Sequence, residues 1–294
     1  MAYTDSAIGY ATATLVDPAP PGPYTFDVVT SPAPPSARLS FAPTDIPDGT
    51  HTISVTKSFD DVTLPVRGAT SHYAVGGAVI TDSEFPVGVT VSYMAEAFDD
   101  SGASLGTIGP VTAQVDSDPS MVWFSDPSNP NLVLQVEAPG DFAEELTEVR
   151  EVQTYQIGNR IVALLGALGK LENIPLRVRT TSVEDGELLR TILRQTSVLI
   201  RTAPPVDLPR LLYVVVPQVK KKRTGSVNDI QYGGGWANWE MTGQEVTPTT
   251  LDILVPLVTW QSVIDALEGA TWTEAKALYP TDSWFDVIKD PPGV

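Results

Sequence analysis

The chain reads as a mainly β protein with four parts. These are an N-terminal arm (residues 1–17), a β-sandwich (18–118), a β-barrel-like domain with one helix (119–247) and short C-terminal helices (248–294). Three observations carry this reading. Twenty-six prolines and twenty-two glycines in 294 residues leave little room for long helices. Short alternating apolar segments recur at even spacing through the first 118 residues. Downstream, apolar runs of strand length surround one well-capped helical stretch.

Composition narrows the function. With 42% hydrophobic residues the chain can bury proper cores, and it has no run of 18 apolar residues that would cross a membrane. The opening MAYTDSAIGYATATLV lacks the basic lead of a signal peptide. The absence of cysteine removes disulfides, thiolate nucleophiles and sulfur-bound zinc, and two histidines, His51 and His72, leave little for a histidine metal centre. No cofactor is expected. Net charge is −18, with 3 Lys/Arg against 14 Asp/Glu in residues 1–118 and 15 against 22 in residues 119–294. Such a surface repels phosphate backbones, which argues against nucleic acid and favours solubility.

Taken in order, residues 8–16 alternate like a strand but are cut off by the proline-rich 17–23, so residues 1–17 read as an arm that pairs elsewhere. Segments 24–30, 37–42, 52–58, 74–80, 87–97 and 111–115 then alternate between Pro, Gly and Asp turns. The Pro-rich lead-in, Phe41, and Val91-x-Tyr93-x-Ala95 running into Asp99-Asp100-Ser101-Gly102 resemble a fibronectin type III or Ig-like module. That resemblance implies a spacer or adhesive unit and no chemistry.

Beyond a boundary near residue 118, segments 149–157 and 160–168 flank Gly158 as strands, although RIVALLGALG also fits a buried helix. Residues 176–180 alternate as a strand. Ser182 is placed to cap a helix with Asp185 three residues on, and Leu188, Leu189, Ile192 and Leu193 share one of its faces. Residues 197–202 return as a strand. The stretch 211–216, bounded by Pro209 and Pro217, reads as a strand buried on both faces. Ala237, Trp239 and Met241 alternate with Asn238, Glu240 and Thr242 as its half-buried mate. Between these arms lie Lys220, Lys221, Lys222 and Arg223 and a polar loop ending in Gly233, Gly234 and Gly235.

The tail carries Trp260, Trp272 and Trp284 at twelve-residue intervals, each preceded by Thr or Ser, with Glu274 and Asp286 at capping-box positions. Three helices of about two turns cannot persist alone, so they must dock, on this chain or on a partner.

The ordered set is similar to minor tail proteins of long-tailed phages that infect actinobacteria. It comprises the 52–56 strand, Pro65-Val66-Arg67-Gly68-Ala69, Val122-Trp123-x-x-Asp126-Pro127, Leu176-x-Val178-Arg179-Thr180, the 188–193 helix, Tyr213-Val214-Val215, Trp239 to Glu245-Val246 and the Thr-Trp units. The resemblance implies a structural component of the virion tail tip or baseplate, made in the host cytoplasm. It implies trimeric or hexameric rings of this chain and contacts with other tail proteins. A host cell-surface glycan is a further candidate partner.

A glycan or peptidoglycan hydrolase is the competing class. The pairs Asp99/Asp100 and Glu144/Glu145 and the trio Glu184/Asp185/Glu187 are adjacent acids of the kind found at turns and helix starts, where solvation and the helix dipole explain them. No triad, zincin or phosphate-loop spacing occurs, so no catalytic or metal-binding residue is expected. The basic run 220–223 stands out on an acidic chain and reads either as an assembly contact or as a solvated hairpin flank. Trp236 and Trp239 are candidates for sugar stacking or for packing.

Overall fold

The structure is a computed structural model that describes residues 24–150, 152–157, 159–165, 169–223 and 236–248. The 1–17 arm, the Gly233 to Gly235 loop and Trp260, Trp272 and Trp284 lie outside the described residues. The protein is mainly β, as the composition requires.

The first eight strands make a two-sheet sandwich. They are β1 (Asp27–Pro32), β2 (Pro35–Phe41), β3 (Thr52–Phe59), β4 (Val62–Pro65), β5 (His72–Tyr73), β6 (Ala78–Asp82), β7 (Thr90–Phe98) and β8 (Ser104–Gln114). One sheet has the order β1-β2-β6 and the other β4-β3-β7-β8, with β5 added to β3. Alternation decides which side chains face inward: Ile53, Val55, Tyr93, Ala95, Leu39 and Phe41 fill the space between the sheets. Phe41 is fully buried and stacks on Phe26 at 4.5 Å between ring centroids. Two strands missing from the sequence reading, β4 and β5, are short. The β3–β4 hairpin turns on Asp60 and Asp61, both at positive φ (45° and 62°), so two aspartates do what Asn-Gly does more commonly. Pro110 sits in β8, an edge strand, where a missing donor is tolerated.

The rest of the described chain builds a closed barrel. Its elements are β9 (Met121–Asp126), β10 (Asn129–Glu137), β11 (Thr147–Val149), β12 (Val152–Ile157), β13 (Arg160–Leu165), β14 (Lys170–Glu172), β15 (Ile174–Thr180), α1 (Val183–Ile192), β16 (Val198–Arg201), β17 (Leu211–Arg223) and β18 (Ala237–Glu245). Six of these close in the order β10-β15-β18-β17-β16-β9. Ser182 caps α1 by accepting from the Asp185 amide at 2.9 Å. Leu189 and Ile192 then bury against β9, β10 and β15, joining Leu176, Val178, Trp239 and Met241 in the barrel core. No described helix is long and apolar enough to cross a membrane.

Two expectations are corrected here. Pro217 does not end the ribbon's first arm: β17 runs on to Arg223, absorbing the proline in a register shift between Val215 and Gln218. Residues 220–223 therefore lie in a strand and not in a loop. The stretch 211–216 is not buried throughout, because Leu211, Val215 and Val216 are only half-buried. The second segment of the 149–168 region is a strand, β13, as read, and the helix alternative falls away.

Candidate functional site

Two features are placed by this fold: a buried joint between sandwich and barrel, and exposed strands that leave the barrel. The joint centres on Asp82, at the end of β6, and Glu84 just after it. Lys57 Nζ donates to both Asp82 oxygens (2.8 and 2.9 Å) and to the Glu84 carbonyl (2.7 Å). The Tyr93 hydroxyl donates to Asp82 (2.8 Å). Arg67 Nε donates to Glu84 Oε1 (2.7 Å), and Tyr213, from the barrel strand β17, donates its hydroxyl to Glu84 Oε2 (2.8 Å). Arg201, at the end of β16, is 1% exposed and crosses into the sandwich, donating from one guanidinium nitrogen to the carbonyls of Pro35 (2.7 Å), Ser83 (3.1 Å) and Phe85 (3.4 Å).

Seven ionisable side chains thus share a nearly dry space, and each shift has a physical cause. Burial lowers Arg201 to about 10 against the opposing pull of Asp82 and Glu84, so it stays charged at neutral pH. Burial, and then the Asp82 charge, push the Tyr93 hydroxyl strongly up. Burial and Glu84 do the same to Tyr213. Burial works to lower Arg67, but the charge and hydrogen bond of Glu84 outweigh it and hold the guanidinium above its ordinary value. Neutral tyrosines and charged cations surround two carboxylates with donors, and of these groups the buried Arg201 Nε has no partner. Around it, Val87, Trp123 and Ala203 form a small apolar cluster. A groove of 540 Å³ opens over the joint, walled by Val62, Leu64, Leu211 and Val246, with Arg67, Glu84 and Tyr213 on its floor. That volume would suit a ligand, but those three floor groups are already bonded to one another.

The exposed strands are of two kinds. β11 pairs with β14 and β12 with β13, and neither pair has another strand neighbour among the described residues. Leu171 of β14 anchors the base, with its amide donating to Glu245 Oε2 (2.8 Å). Further out, Val149, Val152, Tyr155 and Val162 are exposed, Val152 by 52%. The second kind is the far half of β17, where residues 220–223 are all exposed and pair with β18.

The remaining candidates fall as follows. Trp239 is a core residue, 2% exposed, its indole donating to Thr180 Oγ1 (3.0 Å), so its candidacy for sugar stacking is withdrawn. Trp236 is 42% exposed, with the Arg179 guanidinium 5.9 Å from its ring centre. Asp99 organises its own turn, accepting from Ser101 and Ala103, and those bonds hold its carboxyl below the usual range. Glu144, Glu145, Glu184 and Glu187 are exposed. Among the described residues, no group of three or more His, Asp or Glu could hold a metal ion. The joint itself was missed from sequence. Its members lie between residues 35 and 213, and a buried lysine or arginine looks like any other in a strand pattern. Comparison with protein-family models, with curated proteins and with solved structures yields no match.

Proposed function

We propose that the chain is a structural subunit of a phage tail tip or baseplate that assembles in several copies around the tail axis. The observation that supports this best is the two-stranded β12–β13 ribbon. A two-stranded ribbon is marginal by itself in water, and this one exposes Val152, Tyr155 and Val162 where polar residues would be expected on a free arm. A partner surface that covers it supplies what it lacks. The joint supports the same role, since a buried charge network between two β units makes a stiff strut. The resemblance noted above favours trimers or hexamers and neighbours among other tail proteins. It implies a position in the virion and implies no catalytic residue. The test is assembly: Val152→Asp with Tyr155→Asp should leave the monomer folded while abolishing its incorporation into particles. Normal incorporation of that variant would count against the reading, as would a particle reconstruction with this chain outside the tail.

A second reading, a receptor- or carbohydrate-binding module of the tail, is favoured by the half-exposed Trp236 beside Arg179. Binding on a glycan array that disappears with Trp236→Ala would support it; a blank array would remove it.

A further inference from the structure

We infer that copies of this chain join head to tail, the far end of one sandwich seating on the basic outer face of the next barrel. The inference rests on the assembly reading above and names the two surfaces that would meet. The first is a product of the pleat. In register across three strands, Arg177 lies beside Glu240 and Lys220, and Arg179 beside Asn238 and Lys222. These positions alternate with Val178, Trp239 and Met241, which face the core, so the others face out. The run 220–223 is therefore divided. Lys221 falls on the other side, its ammonium 4.7 Å from the Trp239 ring centre and close over Gly186 of α1. Lys220 and Lys222 go to the outer face, where Arg177 and Arg179 are already paired with Asp141 and Glu137. Among the described residues no ion pair is made by Lys220, Lys222 or Arg223; Glu240 stands across the ladder from Lys220, while Lys222 stands across from the uncharged Asn238 and gives the face its excess charge. A shallow pocket of 150 Å³ between Arg177, Lys220 and Glu240 roughens this face.

The second surface is the sandwich end formed by the β2–β3 and β7–β8 connections, which meet where the His51 amide donates to the Phe98 carbonyl (2.8 Å). Residues 42–51 and 96–103 contain Asp45, Asp48, Glu96, Asp99 and Asp100 and no Lys or Arg. Asp48 and Asp100 are exposed. This end is remote from the joint: from Gly88, which packs on Ala203, β7 climbs about ten residues to Phe98, roughly 30 Å. The basic face is remote in turn, since Lys220 lies seven residues beyond Tyr213 along β17, roughly 20 Å. Each copy therefore carries opposite charges at two places away from its own joint. A contact between unlike surfaces repeats, closing into a ring or running on as a fibre. Its attraction is long-ranged at low ionic strength and screened above it.

The test is sedimentation velocity of the full chain across concentration and salt. We expect wild-type self-association to weaken at least tenfold between 50 and 500 mM salt. Lys220→Glu with Lys222→Glu, and separately Asp48→Lys with Asp100→Lys, should each abolish it. Mixing the two variants should restore it, because each then offers the other's missing charge. All four side chains are exposed and Lys221 is left in place; Lys220→Glu sets a carboxylate across from Glu240, so Lys222→Glu alone is the control that should leave the thermal midpoint unchanged while weakening association. Association that is unaffected by either variant overturns the inference and leaves the tail-subunit reading standing. A wild type that stays monomeric at every concentration and salt overturns both.

Discussion

Glu84 shows how much one side chain decides. It is 5% exposed and accepts from Arg67 of the sandwich and Tyr213 of the barrel, so it fastens both units with one carboxylate. Tyr213→Phe removes a donor to a buried charge and should cost about 1.5–3 kcal/mol in urea unfolding. A loss below a few tenths would mean that water replaces the hydroxyl. Arg201 carries three carbonyl contacts from one nitrogen, and Arg201→Met leaves buried acceptors without a donor. A loss on the order of 3 kcal/mol is expected. His72 supplies a pH effect. Burial lowers its pKa below 6.5, although the Gly68 carbonyl works to raise it. The unfolded chain then binds the proton more readily than the folded one. Stability contributed by His72 is thus complete above pH 6.5 and declines as pH falls from there towards the lowered folded value. Urea midpoints at pH 7 and pH 5.5 should differ less in His72→Gln than in the wild type; an equal difference refutes the assignment.

Among elements, α1 is the one whose local code is complete. Ser182 caps it, Glu184 and Asp185 occupy its first turn, and Arg190 its last. Ser182→Ala should cost about 1 kcal/mol, read as a lower thermal midpoint with unchanged assembly. The strands β17 and β18 show the opposite case. Their alternation was plain from Ala237 to Thr242, yet the length of β17 was not. Proline reads as a stop, and only pairing with β18 on the far side of the register shift keeps the strand going. The β3–β4 turn escaped for a related reason: Asp60-Asp61 is a weak turn signal until Arg210 of the barrel reaches Asp60, at 3.3 Å, and helps hold it.

For the whole molecule, the joint predicts cooperativity. Sandwich and barrel share the Glu84–Tyr213 hydrogen bond, the Arg201 crossing and the Val87–Trp123–Ala203 contact, so the described units should melt together in calorimetry. Arg201→Met should split that transition in two. A single, merely lowered peak would mean that apolar contact alone couples them. Gly88 is the tightest point: at φ +73° a Cβ there would lie 2.8 Å from the Pro204 side chain. Gly88→Ala should therefore strain both backbone and joint, by about 1–3 kcal/mol, and shift the calorimetric peak accordingly.

By itself the sequence determined the class of the fold, the alternating strands of the sandwich, the capped helix and the inward residues of β15 and β18, because those depend on periods of two and 3.6 residues that neighbours in the chain already express. It also singled out the basic run, whose charge is visible without a structure. Which of those cations face outward was decided by the register of β15, β18 and β17, since a pleat sends adjacent lysines to opposite sides. The placement of Trp239 in the core and Trp236 at the surface was settled the same way. The buried joint belongs wholly to the tertiary structure. Lys57, Asp82, Glu84, Arg201 and Tyr213 are polar residues in strands or at their ends, and only long-range packing removes the water that would otherwise make each of them ordinary.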